Sequence, residues 1–188
     1  GIYSAAYDLT QQTIIMLMMI VNLASYPLCV RALENEGIEA AQSQVRKGAT
    51  ALLMIAVPAT IGIVVLANSI SSSILGAEFS RKAADIIPIV AISVLLQGMK
   101  SYYFDLSFQL GKKTNLQIWP VFAGGLINII LNLFFIPVYG VKGAVYATLV
   151  SYIIAIVLSG IIGRAVLPLS FPLTDFVKIT VCAIVMAV

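Results

Sequence analysis

Long apolar runs alternate with short polar stretches along the whole chain. The runs cover about residues 4–30, 48–68, 83–106, 116–136 and 141–163, and a last one opens at Thr174 and is cut off at Val188. Roughly 20 mainly apolar residues is the length at which a helix crosses the hydrocarbon core of a bilayer. The pattern predicts an all-α, polytopic transmembrane helix bundle with five full spans and a truncated sixth. The stretch 31–47 carries Glu34, Glu36 and Glu39 ahead of Arg46 and Lys47. Its apolar Ala40, Ala41, Val45 and Ala49 recur at helical spacing, which predicts an amphipathic connector at the interface. The other connectors are 69–82, which holds Ser71-Ser72-Ser73, Gly76 and Arg81-Lys82, the basic loop 111–114, and 164–172 with Pro168 and Pro172.

Several spans are too polar or too irregular to be plain lipid-facing helices. The first holds Asp8, Thr10, Gln11, Gln12 and Thr13 in its first half. Side chains of that kind turn to the bundle interior or a wet cavity, although Asp8 also suits a solvated first turn near the positive helix end. Pro58 sits mid-span in the second and calls for a kink. The third carries Gln97, Lys100, Tyr102, Tyr103 and Asp105 in its last third. A lysine one to two turns inside a span must snorkel, pair or meet an anionic ligand. Asp105 lies five residues on, a poor partner at α-helical spacing, and the two tyrosines suggest an interfacial belt, so the residues favour snorkelling with a cavity-facing Lys100 as the alternative. In the fourth span, Trp119 reads as an interface anchor, and Gly125, Asn128 and Asn132 share one face, the mark of helix–helix packing. In the fifth, Ala144, Thr148, Ser151, Ala155, Ser159 and Gly163 form a small-residue stripe expected to pack on the fourth.

Composition sharpens the picture. The 188 residues are 61% hydrophobic and 10% charged, with mean hydropathy +1.04, far from the makeup of a soluble domain. The net charge of +3 is spread without a basic patch, so nucleic acid is not a partner. Histidine is absent and no Cys/Asp/Glu group has metal-ligand spacing. That removes zinc-dependent and histidine-based catalysis, and no cofactor, metal or catalytic residue is assigned. Cys29 and Cys182 read as small buried hydrophobes. The start at Gly1 and the cut-off sixth run lead to the expectation of a fragment of a longer transporter.

The reversal around 128–148 organises the chain. Pro137 is expected to stop one helix, Gly140 and Gly143 to permit a tight turn, and Gly143-Ala144 to let the next helix pack closely. The residues Leu131, Asn132, Ile136, Pro137, Gly140, Gly143, Ala144 and Thr148 resemble the C-terminal half of polysaccharide (Wzx-type, O-antigen) flippases, in the multidrug/oligosaccharidyl-lipid/polysaccharide exporter superfamily. Gly1-Ile2-Tyr3-Ser4-Ala5-Ala6 and Val57-Pro58-Ala59-Thr60-Ile61-Gly62 support the likeness. The resemblance implies a non-enzymatic membrane transporter that moves prenyl-diphosphate-linked oligosaccharide from the inner to the outer leaflet. It further implies residues 1–188 as the C-terminal lobe, with a missing N-terminal lobe of the same chain as partner.

The task implied by that resemblance is to pass a sugar and a diphosphate through hydrocarbon, which needs a polar, preferably cationic cavity between helix lobes. Lys100, the basic residue well inside a span, is the candidate for diphosphate contact. Gln97, Asn128 and Asn132 are candidate sugar or packing contacts, and Asp8 is a candidate ion-coupling site. A multidrug or lipid II exporter of the same superfamily is the alternative, and a membrane-embedded glycosyltransferase or polymerase ranks below it. Orientation follows from the positive-inside rule: Arg31, Arg46, Lys47, Lys112, Lys113 and Arg164 lie on one side, against Arg81, Lys82 and Lys142 on the other. This puts connectors 31–47, 107–115 and 164–173 in the cytoplasm of a multi-pass cell-membrane protein.

Overall fold

Hydrocarbon leaves backbone N–H and C=O groups no water to bond, so a chain this apolar closes its hydrogen bonds within helices. The computed structural model describes residues 2–74 and 77–187, with side chains left undescribed at 2–6, 9, 74 and 77–82; the Gly1 motif, Gly76 and the Arg81-Lys82 pair fall outside the described side chains. The elements in order are α1 (Ile2–Asn35), α2 (Ile38–Val65), α3 (Ala67–Ile74), α4 (Ala77–Met99), a π-helical turn (Lys100–Phe104), α5 (Leu106–Leu110), a 3-10 turn (Thr114–Gln117), α6 (Ile118–Tyr139), α7 (Val141–Arg164) and α8 (Leu173–Ala187). There is no strand among the described residues. Thr10–Asn35, Ile38–Val65, Ala83–Leu110, Thr114–Tyr139 and Val141–Arg164 are each long and apolar enough to cross a membrane. The chain is an all-α polytopic membrane protein.

Two boundaries differ from the expected ones. The polar stretch 31–47 is no loop: α1 runs to Asn35 and α2 starts at Ile38. Only Glu36-Gly37 interrupts them, and Gly37 takes φ +93°, a backbone region that favours glycine. The second correction concerns Pro137, which does not stop its helix. It lies inside α6, which continues to Tyr139, and the reversal comes at Gly140 with φ +59°. Gly143 then follows a 3.0 Å backbone hydrogen bond to the Gly140 carbonyl, and a Cβ on it would run into the Phe135 carbonyl. That contact is the close approach expected of the second glycine.

α4 is the central helix, packed against α1, α2, α3 and α7, and α6 is tied mainly to α7. Ile14 and Met18 of α1, Leu52 and Leu53 of α2, and Val90 and Val94 of α4 form the middle of the core. Gly98 admits the Met18 side chain, which a Cβ there would strike. α8 docks on α2 through Thr50 Oγ1 donating to Asp175 Oδ2 at 3.1 Å, and the connector before it is tied to α2 by Gln42 Nε2 donating to the Pro168 carbonyl at 2.7 Å. The up-and-down order gathers Arg31, Arg46, Lys47, Lys112, Lys113 and Arg164 at one end of the bundle. At the other end Lys142 pairs with Asp85 at 2.8 Å, with both side chains exposed.

The small-residue stripe of α7 serves two neighbours rather than one. A Cβ on Gly124 of α6 would sit 3.1 Å from the Ala155 Cβ, whereas Gly163 faces the Ser107 hydroxyl of α5. The outer face of α6 carries Leu133 at 70% and Phe134 at 68% exposure, a surface fit for lipid. Tyr103 is 2% exposed, against the interfacial position expected of it. Its ring packs edge-on against Phe104 and Phe171, at 5.0 and 5.5 Å between centroids. Cys29 is buried as expected and Cys182 is exposed.

Candidate functional site

An α-helix turns its residues by about 100° each, so side chains five apart point about 140° away from one another. The turn Lys100–Phe104 breaks that rule. Its wider winding closes with the Asp105 N–H donating to the Lys100 carbonyl at 2.9 Å, a five-residue step. One residue is thereby absorbed, and Lys100 and Asp105 come onto one face. The Lys100 ammonium donates to Asp105 Oδ2 at 2.8 Å, with side-chain exposures of 9% and 2%. Lys100 therefore does not snorkel. The packing of Tyr103 and Phe104 on Phe171 helps hold the turn that makes the pair.

Asp105 is a junction of three elements. Besides Lys100, Oδ2 accepts from Gln117 Nε2 at 2.8 Å, and Oδ1 accepts from Ser159 Oγ at 3.0 Å. Gln117 is delivered by the 3-10 turn that opens α6. Ser159, fully buried, comes from the α7 stripe. Three donors, one of them charged, satisfy a carboxylate that would otherwise be very costly when buried to 1% exposure. The bond to Asp105 takes one of the three N–H donors of the Lys100 ammonium.

Lys100 also lines a cavity of about 390 Å³ enclosed by α4, α6 and α7, with Tyr7 of α1 contributing. Gln97 and Asn128 share its walls with Thr148, Ser151 and Tyr152, while Gly124 and Gly125 keep the α6 side open. Gln97 Oε1 is buried and has no partner among the described residues. Asn128 Nδ2 makes a long 3.4 Å contact to Thr148 Oγ1. Asn132 donates to both the carbonyl and the Oδ1 of Asn128 at 2.9 Å, so it orients Asn128 from one turn away. It lines a different, shallow groove with Ile129, Leu133 and Pro137. Asp8 is exposed and stands apart from the cavity walls, next to Tyr7, which forms part of them. A second cleft of about 320 Å³ lies beyond Ser159 and is mostly apolar, with Arg164 in its lining. Among the described residues no cluster of His, Cys, Asp and Glu could hold a metal ion.

The backbone superposes on a lipid II flippase, MurJ, in its inward closed conformation with a TM-score of 0.77, over 98% of this chain and 40% of that one, at 17% sequence identity. The chain thus shares the fold of the matched two-fifths of that protein. Among curated proteins, the chain is 24% identical over 187 residues to the probable low-salt glycan biosynthesis flippase Agl15 of Haloferax volcanii. That match takes in 100% of this chain and 39% of the relative, so the chain spans about two-fifths of the relative's length. No protein-family model matches it.

Within this fold, the sequence pointed to Lys100, Gln97 and Asn128, and the structure brings all three to one cavity. It leaves Asn132 behind Asn128 and Asp8 outside. The residues that sequence reasoning missed are Asp105, Gln117 and Ser159. Asp105 was discounted on α-helical spacing, and the signal overlooked was the bulky Tyr102-Tyr103-Phe104 run between it and Lys100. Ser159 is marked by the sequence only as a packing residue of the α7 stripe, and nothing in the local sequence marks Gln117.

Proposed function

We propose that this chain forms part of a membrane transporter that flips prenyl-diphosphate-linked oligosaccharide from the inner to the outer leaflet for cell-surface polysaccharide assembly. The observation that carries the reading is the cavity between α4, α6 and α7, at membrane depth, with a buried lysine and several neutral polar groups in its walls. A diphosphate needs a cation that will hold it and let it go, and an ammonium with three rotatable donors meets that need. Sugar hydroxyls need neutral donors and acceptors, which Gln97, Asn128, Thr148, Ser151 and Tyr152 offer. The name of the curated relative, a glycan biosynthesis flippase, agrees with this substrate class. Transport by such a site moves the substrate without making or breaking a covalent bond in it.

In this reading Asn132 acts by holding Asn128, and Asp8 is the carboxylate for ion coupling, one residue from Tyr7 in the cavity wall. Connectors 31–47, 107–115 and 164–173 face the cytoplasm, in support of which six cations collect at that end of the bundle. Lipid II is the competing cargo, favoured by the likeness of fold to a lipid II flippase.

The deciding measurement is the leaflet distribution of lipid-linked oligosaccharide in cells with and without the full-length gene. Accumulation on the inner leaflet after deletion supports the proposal. Unchanged oligosaccharide with lipid II trapped instead selects the competing cargo, and retention of a small cationic drug selects a multidrug exporter. Lys100→Ala should stop export while the protein level holds; unchanged export would remove Lys100 from the site.

A further inference from the structure

Resting on the reading of the cavity as a head-group site, we propose that Asp105 holds Lys100 as an internal counter-anion, so that an anionic head group binds only by displacing it and a neutral one has nothing to exchange. The cavity-lining ammonium is already occupied by a carboxylate of charge −1 at 2.8 Å. A neutral glycolipid offers nothing to exchange for that bond. A phosphate monoester brings about −1.5 to −2 of charge near pH 7 and a diphosphate more charge and more acceptor oxygens, so either can replace the carboxylate.

The network is built so that Lys100 is its exchangeable member. When the ammonium swings to a ligand, Asp105 keeps Gln117 on Oδ2 and Ser159 on Oδ1, so the buried carboxylate is not orphaned. Breaking a buried ion pair is ordinarily prohibitive because one charge is left without compensation. Here the ligand compensates the lysine, and two neutral donors already compensate the acid. Ser159 does its part from behind: it lines the apolar cleft on the far side and not the cavity that Lys100 lines. Asp105 is therefore a positioning residue that touches no substrate, and Ser159 supports it.

The test uses the purified full-length protein in detergent, with thermal stabilisation by farnesyl diphosphate and by farnesyl monophosphate as the readout. The wild type should bind the diphosphate roughly tenfold or more tightly than the monophosphate, the scale of one charge-assisted hydrogen bond. Asp105→Asn should bind each lipid roughly tenfold better than the wild type does, with the ratio between them kept, because the cost of displacing the carboxylate is common to both. Ser159→Ala should keep the cavity walls yet weaken diphosphate binding several-fold, because Asp105 then holds Lys100 harder. Lys100→Met should bind neither lipid. If Asp105→Asn does not purify as a folded protein, Ser159→Ala and Gln117→Ala carry the decision.

Failure of Asp105→Asn to bind either lipid better than the wild type does, or unweakened diphosphate binding in Ser159→Ala, overturns the proposal. If Lys100→Met alone loses binding, only the role of Asp105 fails and the head-group site stands. If neither lipid stabilises the wild type, both this proposal and the head-group role of Lys100 fall, and the leaflet assay judges transport separately.

Discussion

Replacing Asp105 by alanine should be the most damaging single change near the cavity. At 2.8 Å between Nζ and Oδ2, the gross attraction is about 6 kcal/mol at an effective dielectric of about 20. Desolvation of two ions offsets much of that, so the net worth of the pair is small while the cost of halving it is large. Asp105→Ala leaves the Lys100 ammonium uncompensated, for about 3–5 kcal/mol. It also strips the acceptor from Gln117 and Ser159, for about 1 kcal/mol more each. Lys100→Met removes the charge and leaves Asp105 with two donors, so its cost should be about 1–3 kcal/mol. In Lys100→Met with Asp105→Ala no charge is stranded, and only the Gln117 and Ser159 donors are left over, for about 1 kcal/mol each. The double variant should thus be more stable than Asp105→Ala alone, with about 3 kcal/mol or more of non-additivity. Equilibrium unfolding in mixed micelles measures all three. Costs for Asp105→Ala below about 1 kcal/mol, or single-variant costs that simply add, would refute the claim that the buried network is held together by this carboxylate.

The turn between α6 and α7 gives a second expectation. Gly140→Ala should lose about 1–2 kcal/mol by unfolding midpoint because φ is +59° there, whereas Pro137→Ala should leave stability unchanged or raised, since the helix runs through it. The reverse ranking would return the turn to the proline. Orientation is tested by single cysteines in a Cys29→Ala, Cys182→Ala background. Lys112→Cys should react with an impermeant maleimide only from the cytoplasmic side and Lys142→Cys only from outside; the opposite pattern inverts the proposed topology.

The spans were legible because hydropathy over about 20 residues depends on no contact between elements. Their ends were less so, for reasons that differ from place to place. Glu34 to Lys47 reads as a connector by charge, but those residues still make good helix, and only Gly37 is left to make the turn. Pro137 reads as a stop by its missing N–H, yet at the end of α6 that N–H is lost from the last turn, where little continues beyond it. Tyr103 and Cys182 exchanged their expected settings because amphipathic and small residues suit either interior or surface. Phe104 and Phe171 bury the first, and the second points away from the contact between α8 and α2.

The candidate site divides along the same line. Lys100, Gln97 and Asn128 could be picked singly because each is polar in an apolar run, a property of the sequence itself. Their company could not be picked, because it depends on register. A strict 3.6-residue period sends Asp105 to the side opposite Lys100, and one π-helical turn brings it back to the same side. The remaining partners come from residues 117 and 159, brought within 3.0 Å of Asp105 from two other elements. That approach is possible only because Gly163 lets α7 close onto Ser107 and Gly124 lets α6 close onto Ala155. The small-residue stripe, which by itself says no more than tight packing, is therefore what delivers Ser159 to the carboxylate. Any bulkier residue at Gly163 should disturb the lysine through Ser159 and Asp105 without touching it, which ties the packing of α7 to the position of the ammonium in the cavity.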